Sequence, residues 1–170
     1  SMTELKDRIL AEKEGAIGWI TFNHPERRNA MTLEMWQAFG AALADFQADD
    51  AIRVVVMKGS GGKAFVSGGD ISQFEKSRNN AEAAAVYAAA SEGAREQLAS
   101  FQKPLIAMVK GFCLGGGMAV ALKADFRIAS MDSQFGIPAA KLGIAYNFGG
   151  LKSLMELVGP GVTKKMLFTG

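Results

Sequence analysis

The sequence predicts an α/β fold, a single domain over residues 1–170. Short apolar runs rich in β-branched residues alternate with longer stretches of helical spacing. The 20 glycines gather at 59–62, 68–69, 115–117 and 149–150, each cluster between apolar segments, where a flexible linker would spread them. Apolar side chains make up 49% and charged ones 21%, enough for a chain of this length to bury roughly 70% of its unfolded surface.

Taken in order, residues 16–22 (AIGWITF) read as a strand and the polar run 23–29 (NHPERRN) as a loop. Thr32 is the expected N-cap of a helix to Ala48, with Met35, Trp36, Phe39, Ala42, Leu43 and Phe46 on its core face. Residues 52–57 (IRVVVM) form a buried strand, and 64–66 a short extended piece entering Ser67-Gly68-Gly69-Asp70. Asn79 and Glu82 have capping-box spacing and open an Ala-rich helix to Phe101, with an apolar line through Val86, Ala90, Ala94, Leu98 and Phe101. A strand at 104–109, a helix from the glycine triplet to about Leu122 and a strand at 126–129 follow. Helices at 149–158 and 162–168 flank Gly159-Pro160-Gly161.

Composition narrows the function. A net charge of +2 argues against nucleic-acid binding by massed positive charge. One cysteine, Cys113, and one histidine, His24, build neither an internal disulfide nor a zinc site of the usual Cys/His kind, so no metal is expected. No run approaches the roughly 20 apolar residues of a membrane span, and residues 1–4 show no signal-peptide pattern, so the cytoplasm is the expected location. Ser1 ahead of Met2 reads as a cloning remnant. Cys113 is expected as an apolar filler, His24 in a surface loop, and Lys103, Lys110, Lys164 and Lys165 as solvated charges.

Three motifs fail on inspection. Gly62-Lys63 lacks the hydroxyl residue and the earlier glycine of a phosphate-binding loop. Val120 occupies the last glycine position of a dinucleotide fingerprint. The run 65–69 lacks the first glycine of a nucleophile elbow. Two glycine turns remain, each after a buried strand. The Gly116 N–H, at the start of a helix, and the Gly69 N–H, in the turn before Asp70, are candidates for a pair of donors to an anionic oxygen. Tight turns needed only for packing would show the same residues.

Residues 64–71 (AFVSGGDI), 110–117 (KGFCLGGG), 22–30 (FNHPERRNA), 124–129 (ADFRIA) and 135–138 (FGIP) together resemble the enoyl-CoA hydratase/isomerase (crotonase) family, in order and at its spacing. The resemblance implies a spiral of ββα units and an acyl-CoA substrate, with coenzyme A present only as part of that substrate and no separate cofactor. It implies that the N–H groups of Gly69 and Gly116 hold the thioester oxygen of an enolate or tetrahedral oxyanion. Arg28, Ala30, Ser67, Gly68, Asp70 and Ile71 would lie against the coenzyme A moiety. Family members are longer, so the chain is expected to be an N-terminal core without the C-terminal helical region, from an enzyme of fatty acid metabolism that forms homotrimers or hexamers.

The chain departs from the family where hydration is performed. The two glutamates that family hydratases use for water correspond to Ala119 and Ala139. Alanine transfers no proton, and losing a general acid or base costs about 10²–10⁴-fold in rate. Residues 142–147 (LGIAYN) resemble a run of methylmalonyl-CoA decarboxylase, an enzyme with His where this chain has Gly69. The resemblance points to Tyr146 as a hydrogen-bond donor at the reactive end and to Asn147 as a group orienting water or a carboxylate. A lyase such as a decarboxylase, or a thioester hydrolase, is therefore expected over an orthodox hydratase. The alternative is a non-catalytic acyl-CoA-binding or scaffold protein that keeps the fold.

Overall fold

The computed structural model describes residues 8–69, 80–124, 126–129 and 134–136. Its strands fall into two sheets. The first contains β1 (Ile9–Glu14), β2 (Ile17–Phe22), β3 (Val54–Gly59), β5 (Leu105–Val109) and β7 (Phe126–Ala129), in the order β1-β2-β3-β5-β7. The second contains β4 (Ala64–Val66), β6 (Phe112–Leu114) and β8 (Gln134–Gly136), in the order β4-β6-β8. Among the described residues only the β1–β2 hairpin is antiparallel; the remaining pairings are parallel. Helices α1 (Leu33–Ala48), α2 (Asn80–Ala99) and α3 (Gly116–Lys123) make the returns. From β3 onward the chain lays one strand in each sheet, then crosses back through a helix. That is the ββα spiral implied by the family resemblance.

Helix α1 begins and ends where the sequence predicts. Thr32 accepts the Met35 N–H at 3.1 Å through its hydroxyl, satisfying one of the helix's orphan donors. Met35, Trp36, Phe39, Ala42, Leu43 and Phe46 form its buried face. Fully burying such large side chains stabilises by roughly 1.5–3 kcal/mol each. Phe22 of β2 joins the layers: its ring lies 5.3 Å from Phe39 of α1 and 5.3 Å from Phe65 of β4. Lys103, expected in solvent, instead donates from Nζ to the Phe46 and Asp49 carbonyls at 2.6 Å each. A cation there meets the negative end of the helix dipole and its unpaired carbonyls.

The second helix departs from its expected face at one position. Val86, placed on the apolar line by the sequence, is 49% exposed, whereas Ala94 and Leu98 are buried and Ala90 and Phe101 pack against the core as expected; Tyr87 and Ser91 also face inward. Small side chains allow a close helix crossing, and a Cβ on Gly40 of α1 would stand 3.5 Å from the Ala94 Cα. Asn79, half of the expected capping box, lies outside the described residues, as do the two helices expected after residue 148. Among the described residues no helix is long and apolar enough to cross a membrane.

The loop between β2 and α1 is organised by Asn29, which is fully buried. Its Nδ2 donates to the carbonyls of Ser60, at 3.1 Å, and Ala64, at 2.9 Å, while its Oδ1 accepts the His24 N–H at 2.8 Å. Two segments distant in sequence, the 23–29 loop and the β3–β4 connection, are thereby tied at one side chain. Asn29 also holds φ +57°, a left-handed conformation that asparagine adopts more readily than most residues. Asn29→Ala leaves buried donors and acceptors unpaired, each costing about 1–3 kcal/mol. The expected loss is about 3 kcal/mol in urea unfolding, and a loss below about 0.5 kcal/mol contradicts the role assigned to Asn29.

Candidate functional site

Strands β4 and β6 are parallel neighbours, with Ala64 paired to Phe112 and Val66 to Cys113. Their C-terminal ends lie side by side on one edge of the second sheet, separated by about the 4.8 Å of adjacent strands. Each runs directly into a glycine turn: β4 into Ser67-Gly68-Gly69, β6 into Gly115 and Gly116. Gly68 has φ +120° and Gly115 φ +51°, conformations that favour glycine at both bends.

The turn after β6 is also packed against the end of β4. A Cβ on Gly117, in the first turn of α3, would collide with the Val66 carbonyl oxygen. The N-terminus of α3 thus sits directly on the end of β4, which only a residue without a side chain permits. Gly115 is the N-cap and contributes no side-chain hydrogen bond, so the first N–H groups of α3, Gly116 among them, are orphan donors at the positive end of the helix.

Gly69 is oriented from the other side. Met31 forms a parallel bridge with it, donating its N–H to the Gly68 carbonyl at 2.8 Å. In a parallel bridge one residue directs both backbone groups across, and the residue opposite turns both of its own away. Met31 is the first kind and Gly69 the second. The Gly69 N–H therefore faces away from the 30–31 segment, and no described residue accepts it.

The neighbouring loop is fastened to the same turn. The Ser67 N–H donates to the Arg28 carbonyl at 3.2 Å, and the Ser67 hydroxyl to the Arg27 carbonyl at 3.3 Å. Arg28 is in the left-handed region, φ +50°, with its side chain exposed and its guanidinium 4.7 Å from the centre of the Phe112 ring. Ala30 donates its N–H to the Arg27 carbonyl and accepts from His24 Nδ1 at 2.9 Å. The predicted residues Arg28, Ala30, Ser67, Gly68 and Gly69 are thus gathered at one place, beside the turn that leads to Gly116. Ala119 lies in the first turn of α3. Asp70, Ile71, Ala139, Tyr146 and Asn147 lie outside the described residues.

His24 corrects an expectation. It is 6% exposed and not a surface residue. A carbonyl facing Nδ1 requires the hydrogen on that nitrogen, so the ring braces the loop at Ala30. Its placement follows from Asn29, whose carbonyl oxygen draws the His24 N–H inward. Tyr87 was the residue missed by the sequence reading. Its hydroxyl donates to the Met31 carbonyl at 2.6 Å and accepts the Trp36 indole N–H at 2.9 Å. The apolar line through Val86 hid it, because at the first turn of that line Tyr87 and not Val86 faces the core, while Ala90, Ala94, Leu98 and Phe101 keep their expected places.

Comparison with known proteins places this arrangement in a family. Residues 12–170 match the family model of enoyl-CoA hydratase/isomerase. The chain belongs to the enoyl-CoA hydratase/isomerase family. It is 36% identical over 163 residues to the short-chain-enoyl-CoA hydratase of Clostridium acetobutylicum, covering 96% of this chain and 62% of that protein. It is 33% identical over 160 residues to the human mitochondrial 3-hydroxyisobutyryl-CoA hydrolase, covering 92% of this chain and 41% of that one. Among solved structures it resembles an enoyl-CoA hydratase/carnithine racemase from Magnetospirillum magneticum, with a TM-score of 0.88 and 34% identity over 95% of this chain and 61% of that one. The chain therefore spans about three-fifths of the length of the hydratase and of the solved structure. The crotonase fold expected from the motifs is the fold observed.

Cys113, in β6 at the base of the site, is fully buried, and burial pushes its thiol up to about 12. The expected role as an apolar filler holds. The folded state keeps this proton while an unfolded thiol loses it near pH 8.5, so the contribution is intact below that pH and is lost as pH rises toward 12. A disulfide reagent such as dithionitrobenzoate should leave the native protein unmodified at pH 8 and label one thiol per chain in denaturant; fast native labelling contradicts the burial.

Proposed function

We propose that this chain forms the thioester-recognising core of an acyl-CoA enzyme, in which the N–H groups of Gly69 and Gly116 act as an oxyanion hole. The observation that carries this reading is the placement of two glycine turns at the adjacent C-terminal ends of β4 and β6, one with its amide turned away from the chain's own bridge and the other opening a helix. A thioester carbonyl that becomes an enolate or a tetrahedral intermediate gathers negative charge on oxygen. Two preorganised amides stabilise that charge more than the neutral carbonyl, which is what lowers a barrier.

In this reading Arg28, Ala30, Ser67, Gly68, Asp70 and Ile71 line the coenzyme A path. The exposed guanidinium of Arg28 suits a phosphate group, for which arginine offers a planar fork of donors. No separate cofactor or metal enters the chemistry. The family's relatives include a hydratase and a hydrolase by name, so the fold accommodates more than one outcome for the same oxyanion.

Ala119 and Ala139 select among those outcomes. Hydration needs a group to position water and exchange its proton, and neither alanine can. Decarboxylation generates the enolate directly as carbon dioxide leaves, so it needs the oxyanion hole and a polar group to hold the carboxylate. Tyr146 and Asn147 are proposed for that end, as a neutral donor and an orienting amide. Thioester hydrolysis is the other reaction of this class. The proposal includes a cytoplasmic trimer or pair of trimers, with an acyl-CoA as the small-molecule partner.

The same two alanines favour one second reading, a non-catalytic acyl-CoA-binding protein. A panel of acyl-CoA thioesters assayed for binding and for turnover separates the two. Enzyme activity is expected on a carboxylated or hydrolysable thioester, while tight binding with no turnover of any thioester supports the second reading. Hydration of crotonyl-CoA is expected at least about 10²-fold below that of an orthodox hydratase, and hydration at ordinary rates contradicts the part given to the alanines. Proline is tolerated at the first helical position and has no N–H, so Gly116→Pro removes one donor with little cost to α3. It should lower kcat by about 10²–10³-fold; an unchanged kcat removes Gly116 from the mechanism.

A further inference from the structure

Tyr87 reaches the candidate site from α2, and its hydroxyl is held from two directions. It donates to the Met31 carbonyl at 2.6 Å and accepts from Trp36 Nε1 at 2.9 Å, and Trp36 is itself fixed in the core with only 1% exposure. Met31, its acceptor, is the residue that bridges Gly69 and bonds the Gly68 carbonyl. The hydroxyl also faces Gly69 directly: a Cβ added there would lie 2.8 Å from the Tyr87 oxygen. The next ring atoms, Cζ and Cε1, would stand at 3.6 and 3.8 Å, ordinary van der Waals distances.

We propose that Tyr87 is a positioning residue for the Gly69 amide, fixing the 68–69 turn through Met31 and imposing glycine at position 69 through its hydroxyl. The inference rests on the oxyanion-hole reading for its catalytic consequence, but its steric half rests only on the closeness of the Tyr87 hydroxyl to Gly69. A tyrosine oxygen pinned by two hydrogen bonds cannot yield as a free side-chain end would. An alanine at 69 must therefore displace either the hydroxyl or the turn. Both routes move the amide, since Met31 links them. With phenylalanine at 87 the obstructing atom is gone and a methyl group at 69 meets only the ring edge at contact distance.

The test is a double-mutant cycle in the intact protein: Tyr87→Phe, Gly69→Ala and the two combined. Two readouts are taken, the urea midpoint and the enolate fraction of bound acetoacetyl-CoA, followed by its near-ultraviolet absorbance. Tyr87→Phe is expected to lower the enolate fraction about tenfold, with the dissociation constant for acetoacetyl-CoA within about twofold of wild type. Gly69→Ala is expected to lower it about 10²-fold, the scale of a misplaced reacting group. The combined variant should exceed Gly69→Ala by about tenfold in enolate fraction and recover part of its urea midpoint, a coupling that independent sites do not show. Additive effects in both readouts overturn the proposal. Gly116→Pro separates the two readings. If it abolishes the enolate signal while the cycle is additive, the oxyanion hole stands and Tyr87's part in it falls. If wild type binds acetoacetyl-CoA with no enrichment of enolate, the oxyanion-hole reading and the catalytic part of Tyr87 fall together.

Discussion

The parallel pairing of β4 with β6 is the constraint on which the rest of the structure depends. Both strands are three residues long and neither has enough surface to be stable alone. Their alignment is enforced from outside the sheet: Phe65 packs on Phe22 beneath it, and Gly117 lets α3 rest directly on the Val66 carbonyl. Because the strands run the same way, their exits lie at one edge, and two turns separated by nearly fifty residues of sequence become neighbours. Parallel strands require a crossover connection, and here the crossover contains α2, which carries Tyr87 back to the turn it left.

A second layer of hydrogen bonds makes that edge rigid. Asn29 joins the 23–29 loop to the carbonyls of Ser60 and Ala64, on both sides of the β3–β4 connection. Arg28 and Met31 then take hold of Ser67 and Gly68 through main-chain bonds. Preorganisation of this kind is what an oxyanion site demands, since donors that must reorganise during reaction forfeit much of their advantage. Left-handed backbone at both Arg28 and Asn29 shows that the loop accepts local strain to present those groups.

Much of this was legible in the sequence, for identifiable reasons. Helix α1 has a cap, an uninterrupted apolar face and no competing turn signal, and its observed bounds follow from them. Strands β2, β3 and β5 show as runs dominated by apolar residues, although β5 alternates, with Leu105, Ala107 and Val109 buried and Met108 exposed. The family and the ββα spiral came from the glycine motifs, not from periodicity. Strands β6 and β8 were illegible because three residues show no alternation and their partners are distant in sequence. Strand β1 was illegible because four of its six residues are exposed, including Glu12, Lys13 and Glu14, as suits an edge strand protected by charge. At the site, the glycines and the Ser67 segment could be singled out from local sequence. The burial of His24 and the role of Tyr87 could not, because each depends on where another segment's carbonyl is placed.

The most direct test of the account is a crystal structure of the protein with a non-reactive acyl-CoA thioester bound. The thioester oxygen is expected about 3 Å from the backbone nitrogens of both Gly69 and Gly116. A thioester carbonyl bound elsewhere, or a Gly116 N–H bonded to an acceptor of the chain itself, would contradict it.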